Sequence, residues 1–358
     1  MTKVFIAGLG LIGGSIAKRL KEKHGKKYTV YALTKDKDDI KNALFDGAID
    51  KGFTEILPND FFDFDMVILC VPPNIIAKTA KALIPHFPKN TVYTDVGSIK
   101  SEIAEEMRTL PVTYVGGHPM AGTEKKGYMH SFPHLFENAY YFLMQRNGLV
   151  EQMVADLGAN AIFTSCETHD KTVAVISHIP HAVSASLVNL AIENETADKM
   201  LSKAAAGGFR DTTRISSSSE NLWESILLSN KKYVVPLLNE MTALLDGLKT
   251  DIINNDSENI LKFFRDARLY RNELSENRKP LHSQYYDIYI SVEDKVGVIA
   301  KISEILTNSN ISIQNIGILK SREQIGGTLI LSVYTLDDYK KSMKLLKENG
   351  FDITNFEE

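Results

Sequence analysis

The sequence predicts three domains in order: a doubly wound α/β domain, an all-α domain and a small α+β domain. Strand and helix patterns alternate through residues 1–165, which favours a parallel sheet covered on both faces. Helical patterns with almost no strand signal fill most of 166–280, which ends in the polar letters Ser275–Pro280 of a predicted linker. A βαββαβ order typical of a ferredoxin-like domain occupies 285–358, with its last strand predicted at Phe351–Thr354. A chain of 358 residues also exceeds what one ordinary core holds.

The composition is that of a soluble globular protein, with 44% apolar and 24% charged residues. A net charge of −4 argues against general binding to nucleic acid or to an anionic membrane. Two cysteines, Cys70 and Cys166, fit neither a disulfide framework nor a zinc site. Without a signal-peptide pattern or an apolar run near membrane-spanning length, we expect a cytoplasmic protein.

A glycine-rich loop follows the first predicted strand, Lys3–Ala7, and precedes an amphipathic helix. Gly8 permits a tight turn, Gly10 lets a pyrophosphate approach the backbone, and Gly13 lets helix and strand pack closely. The helix N-terminus then favours an anion, which predicts a Rossmann-type dinucleotide-binding domain. The predicted cofactor-binding residues here are Gly8, Gly10, Leu11, Ile12, Gly13 and, after the third predicted strand, Val71.

The end of the second predicted strand bears on cofactor choice. An NAD-specific domain usually has an acid there, which binds the ribose 2′-hydroxyl. This chain instead has Thr34 and Lys35, followed by Asp36. Thr34 can bond a hydroxyl or a phosphate, Lys35 can balance a 2′-phosphate, and Asp36 can still reach back. The sequence therefore predicts NAD as the cofactor and leaves NADP open as an alternative.

Two further clusters follow predicted strands of this domain. Ser98 and Lys100 come directly after the fourth strand, at the sheet edge where open parallel sheets bind ligands. The structural alternative is that Ser98 caps the next helix. His118, in the letters GGHPMAG, is predicted to face a cleft. Its pKa near neutrality suits it to take a proton from an alcohol during oxidation.

The helical part contributes two histidines and an acid. His178 and His181 are three residues apart, so on a helix they face one side, and Asp170 lies about two turns earlier. We expect one histidine to bind substrate and Asp170 to orient or charge a nearby group. A polar patch on a domain interface is the alternative, and too few further ligands are clustered here for a metal site.

Two arginines follow a double glycine in the letters GGFRDTTR. Arg210 and Arg214 are four residues apart, and an arginine fork matches a carboxylate in a bidentate way. Arg210 can instead pair with Asp211 or Asp170. We therefore assign Arg214 to a substrate carboxylate.

Taken together, the motifs GLGLIGGS, DVGSIKS, GGHPMAGTEKKG, SHIPHAVSASL and GGFRDTTRIS resemble those of the prephenate dehydrogenase family, in the family's order. The resemblance covers essentially the whole chain. It implies a homodimer with a Rossmann domain and a helical dimerisation domain. It also implies oxidative decarboxylation of prephenate to 4-hydroxyphenylpyruvate, in the pathway to tyrosine.

The resemblance also implies residue roles. His118 would bond the C4 hydroxyl of prephenate and accept its proton as hydride leaves, and Ser98 would position that histidine or the hydroxyl. The residues implied to bind the substrate or support its binding are Thr123, Asp170, His178, His181 and Arg214. Thr34 departs from the acid that is commoner in the family, which leaves the choice between NAD and NADP open.

The C-terminal part resembles an ACT domain. Asp294–Ile299 matches the turn into its first helix, and Asn308–Ile313 matches the entry to its second strand. The resemblance implies feedback inhibition by tyrosine bound near Gly297 and Asn315, against the alternative of a purely structural dimer module.

Two rival functions stay open for the whole chain. The first is an arogenate dehydrogenase on the same scaffold, whose substrate carries an amino group in place of the keto group. The second is a dinucleotide and amino-acid sensor without enzymatic activity. His118 and Arg214 argue against a sensor, because a sensor needs neither a proton acceptor nor a carboxylate fork.

Overall fold

The computed structural model describes residues 1–276, 286–293, 295–320 and 327–353, which divide into two compact units, Met1–Leu245 and Asp246–Glu358. The α/β part of the first unit contains β1 (Thr2–Ala7), α1 (Leu11–His24), β2 (Tyr28–Leu33), α2 (Lys37–Phe45), β3 (Lys51–Phe53), β4 (Met66–Leu69), α3 (Ile76–Leu83), β5 (Val92–Asp95), α4 (Ser101–Arg108), β6 (Thr113–Val115), β7 (Gly117–Pro119), β8 (Tyr140–Leu143), α5 (Gly148–Asp156) and β9 (Asn160–Phe163).

Six of these strands form a parallel sheet in the order β3-β2-β1-β4-β5-β6. This is the strand order of a Rossmann fold, and the direction of winding changes between β1 and β4. Alternate side chains of β1 enter two separate apolar cores, with Val4 and Ile6 in one and Phe5 and Ala7 in the other. The predicted doubly wound fold is therefore confirmed.

The last three strands depart from the prediction of one parallel sheet. They form a second sheet, in which β7 pairs antiparallel with β8 and β8 pairs parallel with β9. The chain turns away from the first sheet at Gly116, directly after β6. His118 consequently lies on a short strand, opposite Phe142 of β8, rather than in a loop.

The helical part contains α6 (Cys166–Val173), a π-helical turn (Ala174–His178), α7 (Ile179–Glu193), α8 (Met200–Ala204), α9 (Gly207–Thr213), α10 (Glu220–Ser229) and α11 (Lys231–Ile253). The helix Cys166–Glu193 is long and apolar enough to cross a membrane by length and composition alone, with 17% of its most apolar window buried. This corrects the expectation that no apolar run approaches that length. Exposed apolar side chains on this helix include Val175, Ile176, Leu190 and Ile192.

The second unit contains α12 (Ser257–Glu276), β10 (Tyr286–Val292), α13 (Val298–Thr307), β11 (Ile313–Lys320), β12 (Gly327–Val333), α14 (Leu336–Glu348) and β13 (Asp352–Ile353). Its antiparallel sheet has the order β11-β12-β10-β13, and Ile288, Ile302, Leu331 and Leu346 contribute to one core. The predicted βαββαβ order is confirmed.

Some predictions on this unit cannot be compared with the structure. The predicted linker Ser275–Pro280 starts within the end of α12, and its residues 277–280 lie outside the described part of the chain. Asp294 of the predicted ACT turn and Thr354 of the last predicted strand also lie outside it.

The loop between β1 and α1 shows why glycine is needed at two of its positions. Gly8 has φ +104°, and a Cβ there would overlap the carbonyl oxygen of Cys70. A Cβ on Gly13 would overlap the carbonyl oxygen of Gly8, so the helix packs directly on the turn. A Cβ on Gly10 would meet nothing within 4 Å, which leaves open space beside this backbone.

We predict that Gly13→Ala lowers the free energy of unfolding by about 1–3 kcal/mol, because the added methyl group overpacks the turn against backbone that cannot move away. The matched control, Gly10→Ala, adds the same methyl group to open space and leaves stability close to that of the parent. Thermal unfolding followed by circular dichroism tests this, and equal losses in the two variants would contradict it.

Candidate active site

The carboxylate of Asp95, at the end of β5, is fully buried and joins two loops at the edge of the sheet. It accepts hydrogen bonds from the backbone N–H of Gly97 (2.8 Å), the hydroxyl of Tyr114 (2.7 Å) and the backbone N–H of Gly117 (3.1 Å). Lys100, also fully buried, donates its Nζ to Asp95 and to the carbonyl of Gly117. These bonds tie the loop after β5 to strand β7.

The loop after β5 carries Ser98, whose side chain is half-buried and forms no hydrogen bond within the described residues. The alternative that Ser98 caps the next helix is wrong, because α4 begins at Ser101 with Lys100 at its N-cap position. Asp170 supplies the cap instead. Its carboxylate accepts the backbone N–H groups of Lys100 and Ser101, each at 2.8 Å.

His118 is joined to Asp170 through a second histidine, His169. The Nδ1 of His118 lies 2.8 Å from the Nε2 of His169, and the Nδ1 of His169 lies 2.8 Å from the Oδ1 of Asp170. Burial, with the nearby His169 and Lys100, lowers the pKa of His118 well below its usual value. His118 is therefore a neutral base at pH 7, and neutral imidazole is the form that accepts a proton.

His169 was not among the predicted site residues. It has no exposed surface, and burial lowers its pKa although the hydrogen bond to Asp170 acts in the opposite direction. Burial tends to raise the pKa of Asp170, but the hydrogen bonds from His169, Ser101 and Lys100 lower it overall. The adjacent letters His169-Asp170 were the available signal, since they place an imidazole beside a carboxylate.

His178 is the last residue of the π-helical turn, and His181 is the third residue of α7. His178 is buried, and its Nδ1 lies 3.1 Å from the amide of Asn230, which also donates to the backbone carbonyl of Asp170 at 2.9 Å. Burial lowers the pKa of His178 to about 4, so it is neutral at pH 7. Asp170 and His178 are each only 1% exposed. Both are already paired within the chain, and their supporting role in substrate binding stays a prediction.

His181 is only partly buried and stacks on Trp223, with ring centroids 3.7 Å apart and an interplanar angle of 26°. Its Nδ1 lies 2.9 Å from the carbonyl of Ser177, which can only accept a hydrogen bond. The Nε2 of the neutral ring is therefore a free acceptor, or a donor once protonated. Sequence reasoning missed Trp223, although it is the chain's single tryptophan.

Arg214 follows α9, at the start of a short 3-10 turn, and its Nη1 donates to the Oε2 of Glu124 at 3.1 Å. The two residues are 90 positions apart, so this contact joins the helical part to the loop after β7. Thr123, the neighbour of Glu124, is exposed and accepts a hydrogen bond from the backbone N–H of Lys125 at 3.3 Å. The predicted carboxylate-binding arginine thus already holds a carboxylate of the chain.

The backbone at the start of α1 is open to the pyrophosphate of a dinucleotide. Gly10 is the N-cap residue and provides no side-chain cap, so the first-turn N–H groups of this 14-residue helix, beginning with Leu11 and Ile12, lack a capping side chain. Val71 borders the same turn, since its Cγ1 would lie 3.2 Å from a Cβ on Gly8. Open space at Gly10 lets a ligand approach the backbone.

At the end of β2, the acid nearest the expected ribose position is already used. Asp36 caps α2, where it accepts the backbone N–H groups of Asp38 (2.8 Å) and Asp39 (3.3 Å). Thr34 is half-buried and Lys35 is exposed. The position that selects the ribose substituent is therefore held by a hydroxyl and a cation.

A cavity of about 860 Å³ lies along α4 and β6, and its lining includes Arg108, Tyr114, Cys166 and Lys232. None of the predicted site residues lines this cavity, so it is separate from the groups around His118. Within the ranges that the structure describes, no group of three or more His, Cys, Asp or Glu side chains is arranged to hold a metal ion.

The predicted effector residues both lie in the second unit. Gly297 is the exposed N-cap of α13, with φ +90°, and Asn315 is exposed on β11. The pairing of β11 with β12 shifts register between Ile313 and Asn315. Such irregularities re-aim side chains and occur often beside binding sites.

Three family models match consecutive parts of the chain. Residues 16–162 match the prephenate dehydrogenase nucleotide-binding domain, residues 165–266 match the prephenate dehydrogenase dimerization domain, and residues 286–355 match the ACT domain. The first two models together span the elements that carry His118, His169, His181 and Arg214.

Known proteins are similar over most of the chain. Prephenate dehydrogenase of Bacillus subtilis is 37% identical, covering 96% of this chain and 95% of that protein. A crystal structure of prephenate dehydrogenase from A. aeolicus, in complex with hydroxyphenyl propionate and NAD+, has a TM-score of 0.72 at 33% identity and covers 76% of this chain and 98% of its own. The structure of Synechocystis arogenate dehydrogenase has a TM-score of 0.64 at 27% identity, covering 76% of this chain and all of its own.

We predict that Lys100→Met lowers the free energy of unfolding by about 3–5 kcal/mol, because it leaves the buried Asp95 carboxylate without its cation. The control is Lys3→Met, which removes an exposed lysine that pairs with Asp63 and leaves stability close to that of the parent. Urea denaturation of both variants measures the difference. A Lys100→Met variant as stable as Lys3→Met would show that the buried pair contributes little.

Proposed function

The chain belongs to the prephenate dehydrogenase family, and on that premise we propose that it converts prephenate to 4-hydroxyphenylpyruvate and CO2 while it reduces a nicotinamide dinucleotide. The observation that carries this proposal is the arrangement of His118, a neutral base that is joined through His169 to the buried carboxylate of Asp170. His118 follows Gly117, whose backbone N–H is bonded to Asp95 at the carboxyl end of β5. A base in this place can take the proton that an alcohol loses as its carbon is oxidised.

The protein has to supply little covalent chemistry in this reaction. The dinucleotide, when bound, accepts a hydride from C4 of the substrate ring. Loss of CO2 and aromatisation then drive the reaction forward. The chain's own residues therefore have to orient a dianion and accept one proton.

We assign these tasks to residues of the α/β part and of the helical part of the first unit. His118 accepts the proton of the C4 hydroxyl, and Ser98, whose hydroxyl forms no other hydrogen bond within the described residues, helps to position that group. Arg214 and His181 bind the carboxylates and the side chain, and Thr123 lines the same pocket. Glu124 contacts only the Nη1 of Arg214 in the structure, so the remaining N–H groups of the guanidinium can bind a substrate carboxylate.

We propose that NAD is the cofactor and that selectivity against NADP is weak. Asp36 caps α2 through its Oδ1, which holds its carboxylate at the start of that helix. Thr34 and Lys35 are compatible with either a hydroxyl or a phosphate at this position.

Arogenate is the second candidate substrate. Arogenate carries an ammonium group where prephenate has a keto group, and Glu124 offers a carboxylate to such a group beside Arg214. The similarity to the Synechocystis arogenate dehydrogenase is consistent with this alternative.

We also propose a homodimer located in the cytoplasm. The exposed apolar side chains of the helix Cys166–Glu193 support self-association, since a second copy would remove them from water.

The deciding assay follows the absorbance of the reduced nicotinamide, with prephenate or arogenate crossed with NAD or NADP. We expect prephenate to be the preferred substrate, and His118→Gln to lower kcat about 100- to 10,000-fold because the proton acceptor is lost. The control is His86→Gln, which changes a partly buried histidine that bonds the carbonyl of Asp60. A His118→Gln variant near the parent rate, or a parent active only on arogenate, would overturn the assignment.

The same assay tests cofactor selectivity. We expect kcat/KM for NAD to exceed that for NADP by less than about 100-fold, because Thr34 and Lys35 stand where an NAD-specific domain usually has its acid. A ratio of kcat/KM for NAD over NADP well above this value would contradict weak selectivity between the two cofactors.

We propose further that tyrosine inhibits the enzyme by binding to the C-terminal domain. Support comes from the match to the ACT model, from the exposed turn at Gly297, and from the register shift that presents Asn315.

Asn315→Ala is expected to raise the tyrosine concentration for half-inhibition at least about tenfold, since a hydrogen bond to a charged ligand contributes about 1.5–3 kcal/mol. Asn349→Ala, an exposed asparagine at the end of α14, is the matched control and should leave inhibition unchanged. Rates of prephenate oxidation over a tyrosine series measure both. Unchanged inhibition in Asn315→Ala would remove this residue from the effector site.

A further inference from the structure

The Nδ1 of His118 begins a chain of hydrogen-bonded side chains. The other members of this chain, His169 and Asp170, are buried. From His118 it runs to His169 and ends at Asp170, with both links at 2.8 Å. The ring of His169 is held in place between two others: His118 lies edge-on at 5.1 Å and 74°, and Phe142 lies edge-on at 5.1 Å and 84°. His169 has no exposed surface and Asp170 is 1% exposed, so bulk water does not compete for these bonds.

The position of each proton in this chain can be worked out from Asp170, the residue at its buried end. Asp170 has a lowered pKa and is therefore an ionised acceptor, so the Nδ1 of His169 must carry the proton that it donates. His169 is neutral because burial lowers its pKa, so its Nε2 is an acceptor. The Nδ1 of His118 must then donate to it, which leaves the Nε2 of His118 with a lone pair.

Asp170 is itself fixed from a second direction. The oxygen that accepts from His169 also accepts the backbone N–H of Lys100, and its other oxygen accepts the backbone N–H of Ser101. These amides lie at the start of α4, only two and three residues after Ser98. One carboxylate therefore orients the histidine chain and anchors the loop that carries Ser98.

We propose that His169 and Asp170 are positioning residues, which hold His118 in the tautomer protonated on Nδ1 and keep its Nε2 free to receive the substrate proton. Neither residue touches the substrate. The inference rests on the proposed function, because it assigns the orientation of the base in that reaction.

Two substitutions break the chain at different points. In Asp170→Asn, the amide can donate to the Nδ1 of His169 and so reverse the chain, which places the proton of His118 on Nε2. His169→Phe keeps a buried ring but removes the acceptor, so the tautomer of His118 is no longer fixed. Asp156→Asn is the control, since Asp156 is a buried carboxylate elsewhere in the same unit, bonded to Lys27 and Tyr28.

We expect Asp170→Asn to lower kcat for prephenate oxidation about 100-fold or more, and His169→Phe at least about tenfold, with KM within about threefold of the parent. Such a split is expected because substrate binding is intact while the base is misoriented. Asp156→Asn should retain kcat within about twofold of the parent. Variants of His169 and Asp170 that match Asp156→Asn in kcat would overturn the proposal.

A second readout needs no substrate, and its first test is made on the parent protein. Long-range ¹⁵N–¹H spectra of protein labelled in histidine report which ring nitrogen carries the proton, and His118→Gln identifies the signals of His118. We expect protonation on Nδ1 in the parent and on Nε2 in Asp170→Asn. A parent protonated on Nε2 overturns the positioning role, whereas a parent with the expected tautomer and no turnover of prephenate would count against the proposed function alone.

Discussion

The buried carboxylate of Asp95 is the constraint on which the rest of the site depends. A buried charge is tolerated only when it is paired and its hydrogen bonds are satisfied, and here one cation, one hydroxyl and two backbone N–H groups do this. These donors belong to the loop after β5, to β6 and to β7. A shift of either the loop with Ser98 or the strand with His118 would leave the carboxylate partly unpaired, so the two reactive segments are held as one body.

Most of the fold could be predicted because its signals are local. The strands Tyr28–Leu33, Val92–Asp95 and Tyr286–Val292 can each be recognised from the sequence as a short run rich in apolar, aromatic and β-branched residues. The second sheet of the first unit could not be predicted in the same way. Strand β7 has three residues, one of them a proline, and it exists because it pairs with β8 more than 20 residues away.

The residues of the site also differ in whether local sequence or tertiary contact reveals them. His118 and Arg214 stand in motifs that can be read directly, whereas the burial of Lys100 and His169 cannot be read from the sequence. What buries them is contact across long separations, 51 residues between His118 and His169 and 70 between Lys100 and Asp170. The stacking of Trp223 on His181 is likewise a tertiary fact, since the two residues lie on different helices.

The π-helical turn at Ala174–His178 sets how far the second half of the long helix is rotated about the axis relative to the first half. His169 and His181 are carried by one continuous backbone, so they cannot be repositioned separately. Each residue of a regular helix advances by about 100° around the axis. Removal of one residue from the turn would therefore leave both histidines in a helix and yet rotate one away from the other by more than a quarter of a revolution. The turn thus sets the angle around the helix axis between His169, which is bonded to His118, and His181, which stacks on Trp223.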